Sequence, residues 1–240
     1  MTERTLLGML TPSSNTILEP VTTQMLQGLD GASVHFSRLR VTEITLSEYG
    51  LNQFAHERFL AAAELLADAK CRVMAWNGTS AGWRGFAHDE ELCRMITERT
   101  GITATTSILA IVEAFRRHAI RRFGLVTPYT ADVQARVVEN FGNAGFACVA
   151  EAHLDLSDNF SFSEVPAEQI LRMCREVAQS APQAIAIVCT NLAGAPLAEH
   201  LESETGIPIY DSIAVVVRRV LELAGQDPSA VRGWGQIFQR

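Results

Sequence analysis

Three short stretches in the first half of this 240-residue chain recur in its second half, in the same order. Leu7-Gly8-Met9-Leu10-Thr11-Pro12 returns as Phe123-Gly124-Leu125-Val126-Thr127-Pro128. Val73-Met74-Ala75-Trp76-Asn77-Gly78-Thr79 returns as Ala184-Ile185-Ala186-Ile187-Val188-Cys189-Thr190. Arg99-Thr100-Gly101-Ile102, followed by Ser107-Ile108, returns as Glu204-Thr205-Gly206-Ile207, followed by Ser212-Ile213. The three spacings drift by only a few residues from one pair to the next, as loop-length changes between duplicated halves would make them. The repeat therefore predicts two similar lobes related by a pseudo-two-fold, residues 1–120 and 121–240, with the C-terminal helix crossing back to the first lobe.

Each lobe reads as α/β. Short apolar runs at residues 6–10, 34–38, 72–76, 122–127, 147–152 and 184–189 alternate with longer helical patterns, the signature of mainly parallel sheets. Helices are expected over 52–69, 89–100, 107–118, 131–144, 167–180, 196–205 and 212–224. Gly101, Gly145 and Gly206 stand where helix C-caps belong. Residues 228–240 read as a short terminal tail.

Composition removes several function classes. The formal net charge is −7, and the arginines come in scattered pairs, so there is no basic stripe for nucleic acid. No apolar run approaches the ~20 residues that a membrane helix needs, and MTERTLLGML lacks the layout of a secretory signal. Five cysteines without a CxxC pair suggest reduced thiols and a cytoplasmic protein. Lys70 is the only lysine and sits in no GxxxxGK[ST] loop, which removes Schiff-base, pyridoxal and Walker-type chemistry. His88-Asp89-Glu90-Glu91 invites a metal reading, but acids at a helix start ordinarily partner the helix dipole; no metal is assigned.

In open α/β sheets ligands bind beyond the carboxyl ends of the strands. Two lobes facing each other would bring residues 11–16, 78–82, 127–130 and 189–194 to one cleft. These loops carry small, hydroxyl and amide side chains, a composition suited to a carboxylate held by neutral donors. Cys189 ends an apolar strand at a helix start, where a thiol is expected to have a pKa near neutrality and to exchange protons with carbon. The other four cysteines read as small buried hydrophobes. Ser13, Ser14 and Thr16 serve equally well as caps for a helix entered near Pro20, Thr79 and Ser80 as turn residues, and Tyr129 as a surface turn aromatic. Trp76 reads as core, and Trp83 as a cleft wall or interface residue.

Thr11-Pro12-Ser13-Ser14-Asn15-Thr16, Gly78-Thr79-Ser80, Thr127-Pro128-Tyr129, Asp158-Asn159 and Cys189-Thr190-Asn191 together resemble the aspartate/glutamate racemase superfamily. The similarity is to the branch containing maleate cis-trans isomerase and arylmalonate decarboxylase, and it covers nearly the whole chain. Racemases and isomerases of this group resemble one another in placing one cysteine per lobe on opposite sides of the substrate carbon. Here the second is Cys189, but the first position is Gly78, a pattern similar to the decarboxylase. Pro12, Ser14, Asn15 and Asn159 are instead similar to carboxylate-binding positions of the isomerase. Thr190 and Asn191 stand where the decarboxylase has glycines, and Val41, Ile44 and Tyr49 fall where it has apolar pocket residues.

The resemblance implies a small carboxylate or dicarboxylate substrate, no cofactor and a possible homo-oligomer. The leading expectation is decarboxylation of a substituted malonate. One carboxylate would be held by Asn15, Thr79, Ser80, Tyr129 and backbone around Gly78, while Cys189 protonates the carbanion. Isomerisation or racemisation is the second expectation. A dicarboxylate-binding protein without turnover is the third.

Overall fold

The apolar runs become the inner strands of two sheets. In the computed structural model, which describes residues 4–239, the first lobe contains β1 (Thr5–Pro12), α1 (Leu18–Met25), β2 (Ala32–Leu39), α2 (Glu48–Asn52), α3 (His56–Asp68), β3 (Val73–Trp76), α4 (Ala81–Arg84), α5 (Phe86–Thr100), β4 (Thr103–Thr106) and α6 (Ser107–Arg117). The second contains β5 (Arg122–Val126), α7 (Ala131–Asn143), β6 (Ala147–Ala152), α8 (Ala167–Ala178), β7 (Ala184–Ile187), α9 (Ala198–Thr205), β8 (Ile209–Asp211) and α10 (Ser212–Leu223). The sheets have the orders β2-β1-β3-β4 and β6-β5-β7-β8, every pair parallel. The sequence repeat is thus a repeat of topology.

All residues of β3 and β7 are buried, as expected of parallel strands covered on both faces. Side chains cap several of the helices. Thr106 accepts from the Leu109 N–H at the head of α6, and Asp211 accepts from Ile213 and Ala214 at the head of α10. At the far ends of α5 and α9, Gly101 and Gly206 adopt φ of +72° and +70°, the left-handed turn that glycine enters without steric cost.

Several local expectations change. The helix expected over 52–69 begins only at His56, as α3; a separate short α2 ends at Asn52, and Gln53 between them turns inward to bond the preceding loop. Strands β4 and β8 correspond to none of the expected apolar runs. They are edge strands of four and three residues, and Thr103-Ala104-Thr105-Thr106 offers no apolar run. Cys189 lies two residues beyond β7 rather than at its end. The expected tail is packed: short 3-10 turns form at Pro228–Ala230 and Gln236–Phe238, Ile237 and Phe238 are buried, and Glu202 accepts from the Gln236 N–H. Arg240 lies outside the described residues.

α10 packs against α6, β3 and β4 of the first lobe as well as β8 of its own. At its end Glu222 bonds Arg218 and Arg219 on α10 and Arg117 on α6, tying the lobes at a charged seam. No helix among the described residues is long and apolar enough to cross a membrane.

Candidate active site

The carboxyl ends of β1, β3, β5 and β7 meet around a narrow cavity with about 20 Å³ of free space, room for little more than one water. Pro12 comes from β1, and Trp76, Gly78, Thr79, Ser80 and Trp83 from the end of β3 and α4. The second lobe supplies Tyr129, Asn159, Cys189 and Thr190, while Val41, Ile44 and Phe54 roof the space. A broader groove beside α1, lined by Glu19, Gln27 and Phe36, is open surface and holds none of these residues.

The roof is a strap joining the lobes. The Ile44 N–H donates to the Ser157 carbonyl at 2.8 Å, the Asn159 N–H donates to the Thr42 carbonyl at 2.9 Å, and Glu43 and Asp158 form an antiparallel bridge. Gln53 pegs it from below: its Oε1 accepts from Thr42 N–H, and its Nε2 donates to the Glu43 carbonyl.

Polar groups are divided between the two halves. Thr79 Oγ1 and Tyr129 OH lie 2.6 Å apart, one hydroxyl from each lobe, so one proton is spent between them and the other is available. Ser80 Oγ accepts from Trp76 Nε1 at 3.3 Å and retains its own proton for donation. The Asn191 N–H reaches Cys189 Sγ at 3.4 Å, and the Tyr129 hydroxyl lies where it favours the thiol's anion.

Cys189 does not have the near-neutral pKa that its position suggested. Burial pushes the thiol up to about 12, outweighing the Asn191 N–H and Tyr129 hydroxyl that favour its anion; the nearby Asp211 raises it further. At neutral pH the group is a protonated thiol. Burial likewise holds the Tyr129 phenol well above its usual range.

Gly78 faces an occupied space. A Cβ built there would overlap the six-membered ring of Trp76, whose indole fills the direction a side chain would take. The ring is itself held edge-on to Phe59, at 4.8 Å between centroids, and by its bond to Ser80.

Of the residues singled out in the sequence, Pro12, Val41, Ile44, Gly78, Thr79, Ser80, Tyr129, Asn159, Cys189 and Thr190 line the cavity, with Trp83 as the expected wall. Tyr49, Asn15, Ser14 and Asn191 do not. Tyr49 is 61 % exposed on α2, since the strap places Val41 and Ile44 inward but carries that helix outward. Asn15 does not line the space: its Oδ1 accepts from Ile17 and Leu18 at the head of α1, and its Nδ2 donates to Thr190 Oγ1. It does the capping for which Ser13, Ser14 and Thr16 were the candidates. Ser14 donates to the Val41 carbonyl and accepts from Asn159 Nδ2, both at 2.7 Å, bracing the strap. Asn191 links the lobes, its Oδ1 accepting from Thr16 and Ile17 and its Nδ2 donating to the Asn159 carbonyl. Phe54 and Trp76 line the cavity as well; Phe54 carries no sequence signal beyond being apolar, because its inward position depends on the break between α2 and α3.

The sequence matches the family model described as arylmalonate decarboxylase over residues 7–238. It is 28% identical over 244 residues to a maleate isomerase of Nocardia farcinica, covering 98% of this chain and 95% of the relative. It is 25% identical over 202 residues to the arylmalonate decarboxylase of Bordetella bronchiseptica, covering 80% and 84%. The solved structure of a Nocardia farcinica maleate cis-trans isomerase variant with a covalently bound succinylcysteine intermediate has the same fold, with a TM-score of 0.89 at 23% identity and 98% of both chains covered. With the family match running through both lobes and all four cavity loops, the chain belongs to the arylmalonate decarboxylase family.

Proposed function

We propose that this chain is a cofactor-independent decarboxylase of a substituted malonate. The observation that carries the reading is the asymmetry of the cavity, with one buried thiol on one wall and an indole in place of any side chain at Gly78. One carboxylate of the substrate accepts from the Ser80 hydroxyl and from the one proton that the Thr79–Tyr129 pair leaves free. When the bond from Cα to the second carboxylate breaks, its electron pair moves into the retained carboxyl as an enediolate, whose charge those donors stabilise. The departing group leaves as CO2 from the apolar side of Val41, Ile44 and Phe54, where desolvation disfavours its charge. Cys189 then gives its proton to the exposed face of Cα, and the thiolate left behind is supported by the Asn191 N–H and the Tyr129 hydroxyl until it regains a proton from solvent. A pKa of about 12 suits that order, because the thiol enters the cycle already protonated.

Isomerisation of a small unsaturated dicarboxylate is the second reading, favoured by the narrowness of the cavity. It asks more of Cys189: adding sulfur to a double bond needs the thiolate, and burial suppresses that form.

Proton NMR in D2O with aryl- and alkylmalonates, maleate and aspartate separates the readings. Loss of one carboxyl with a single deuterium delivered to carbon is the expected outcome, together with a roughly 100-fold or greater fall in turnover for Cys189→Ala. Fumarate from maleate, or exchange at the aspartate α-carbon without CO2 loss, would replace the first reading with isomerase or racemase chemistry. Wild-type turnover of malonates by Cys189→Ala would remove Cys189 as the proton donor.

A further inference from the structure

Two indoles line the cavity, and their N–H groups are treated differently. Trp76 donates to Ser80 Oγ. Trp83 Nε1 is buried and has no hydrogen-bond partner among the described residues. The Trp83 ring is held on both sides, edge-on to Tyr129 at 5.2 Å and to Phe54 at 6.1 Å between centroids. It is 5 % exposed, so bulk water does not satisfy it either. A buried N–H without an acceptor is costly, and native structures that retain one usually supply its partner from a ligand or an ordered water.

We infer that Trp83 is a specificity-determining residue whose indole N–H receives a hydrogen-bond-accepting oxygen on the substrate, separate from the carboxylate held by Thr79, Ser80 and Tyr129. The inference rests on the carboxylate reading of the cavity but does not depend on which bond is broken. The substrate class is thereby narrowed to a carboxylate whose substituent carries an ether, carbonyl or second carboxylate oxygen. The residues lining the cavity include no lysine, arginine or histidine, so this acceptor meets a neutral donor and no cation there. A site built around an unpaired donor discriminates strongly against an analogue lacking the acceptor, because binding that analogue seals the donor in without a partner.

The test compares wild type with Trp83→Phe, which keeps an aromatic wall against Tyr129 and Phe54 but removes the donor. Turnover of methoxymethylmalonate is set against that of propylmalonate, matched in length with oxygen in place of a methylene. Binding of the corresponding monoacids, 3-methoxypropanoate and pentanoate, is measured by calorimetry, with succinate as the carboxylate arm. Wild type is expected to favour the oxygen-bearing member by roughly tenfold, and Trp83→Phe to lose that preference while still binding pentanoate. A succinate preference above that for 3-methoxypropanoate identifies the acceptor as a carboxylate. Equal weakening of all ligands in Trp83→Phe would leave only a wall, and a wild-type protein blind to the oxygen would mean that the N–H is satisfied by water; either result overturns the inference. The monoacid arm reads the donor even if no malonate is turned over, so failure of the decarboxylase reading and failure of this one are told apart.

Discussion

Adding even a methyl group at Gly78 brings it into the Trp76 indole, and that indole is held by Phe59 on one side and Ser80 on the other. Restoring a thiol to the first lobe therefore takes more than one substitution. Gly78→Cys is expected to destabilise the protein by about 1–3 kcal/mol, the usual cost of overpacking a filled interior, and to disturb the donor at Ser80. Pairing it with Trp76→Val makes room, so the double variant should show a thiol titratable in the native cavity where the single variant is less stable and poorly ordered. Urea unfolding and thiol titration of the two variants check this; a single variant as stable as wild type would show that the indole yields freely. The same pair shows how far a sequence reaches at this scale. Gly78 was identifiable as the counterpart of Cys189 because the repeat aligns the two. That Trp76 fills the space beside it was not, because Val73-Met74-Ala75-Trp76 reads as a buried apolar strand whichever way its last ring turns.

Among the elements, the strap over the cavity is the one that periodicity could not reveal. Strands β1, β3, β5 and β7 announce themselves as apolar runs between glycines and prolines, and their repeat places the four loops at one end of the molecule. Residues 41–44 and 157–159 have no such run, and their pairing joins segments from different lobes. Gln53 holds the first segment with both ends of its amide, and it is 2 % exposed. Gln53→Ala leaves the Thr42 N–H and the Glu43 carbonyl without these partners, at a cost of about 1–3 kcal/mol if they stay buried. The strap is expected to relieve that cost by opening locally. Hydrogen exchange over 41–44 and 157–159 should quicken while β1 and β5 keep their protection, and KM should rise several-fold with kcat changed less. Unchanged exchange across the strap would mean that Ser14 and Asn159 suffice to hold it.

Across the whole molecule two buried acids stand at the heads of the corresponding helices α6 and α10, Asp211 as the cap itself and Asp89, from α5, beside the capping Thr106. Asp89 hydrogen-bonds Thr106 at the head of α6, and Asp211 caps α10 through Ile213 and Ala214. Each has a carboxylate oxygen, Oδ2, that finds no partner among the described residues. Desolvation raises both carboxyls from 3.8 to about 7, against the hydrogen bonds that favour their ionised forms. The folded protein therefore holds protons that the unfolded chain releases. For these groups the stabilisation is complete below pH 3.8, declines as pH rises through about 7, and changes no further above that. Asp89→Asn and Asp211→Asn mimic the neutral acids, and asparagine at 211 keeps an oxygen for the cap. Neither variant should differ much from wild type in urea unfolding at pH 4. By pH 8 wild type has lost stability on the order of a few kcal/mol per carboxyl that the asparagine variants retain. Exposed acids such as Glu91 and Glu204, whose pKa values are lowered by arginine partners, act in the opposite direction as pH falls, but they are common to wild type and variants and cancel from the comparison. A wild-type-minus-variant difference that stays flat between pH 4 and pH 8 would mean that these carboxyls are ionised in the folded state, and that the partners of both orphaned oxygens are supplied by solvent.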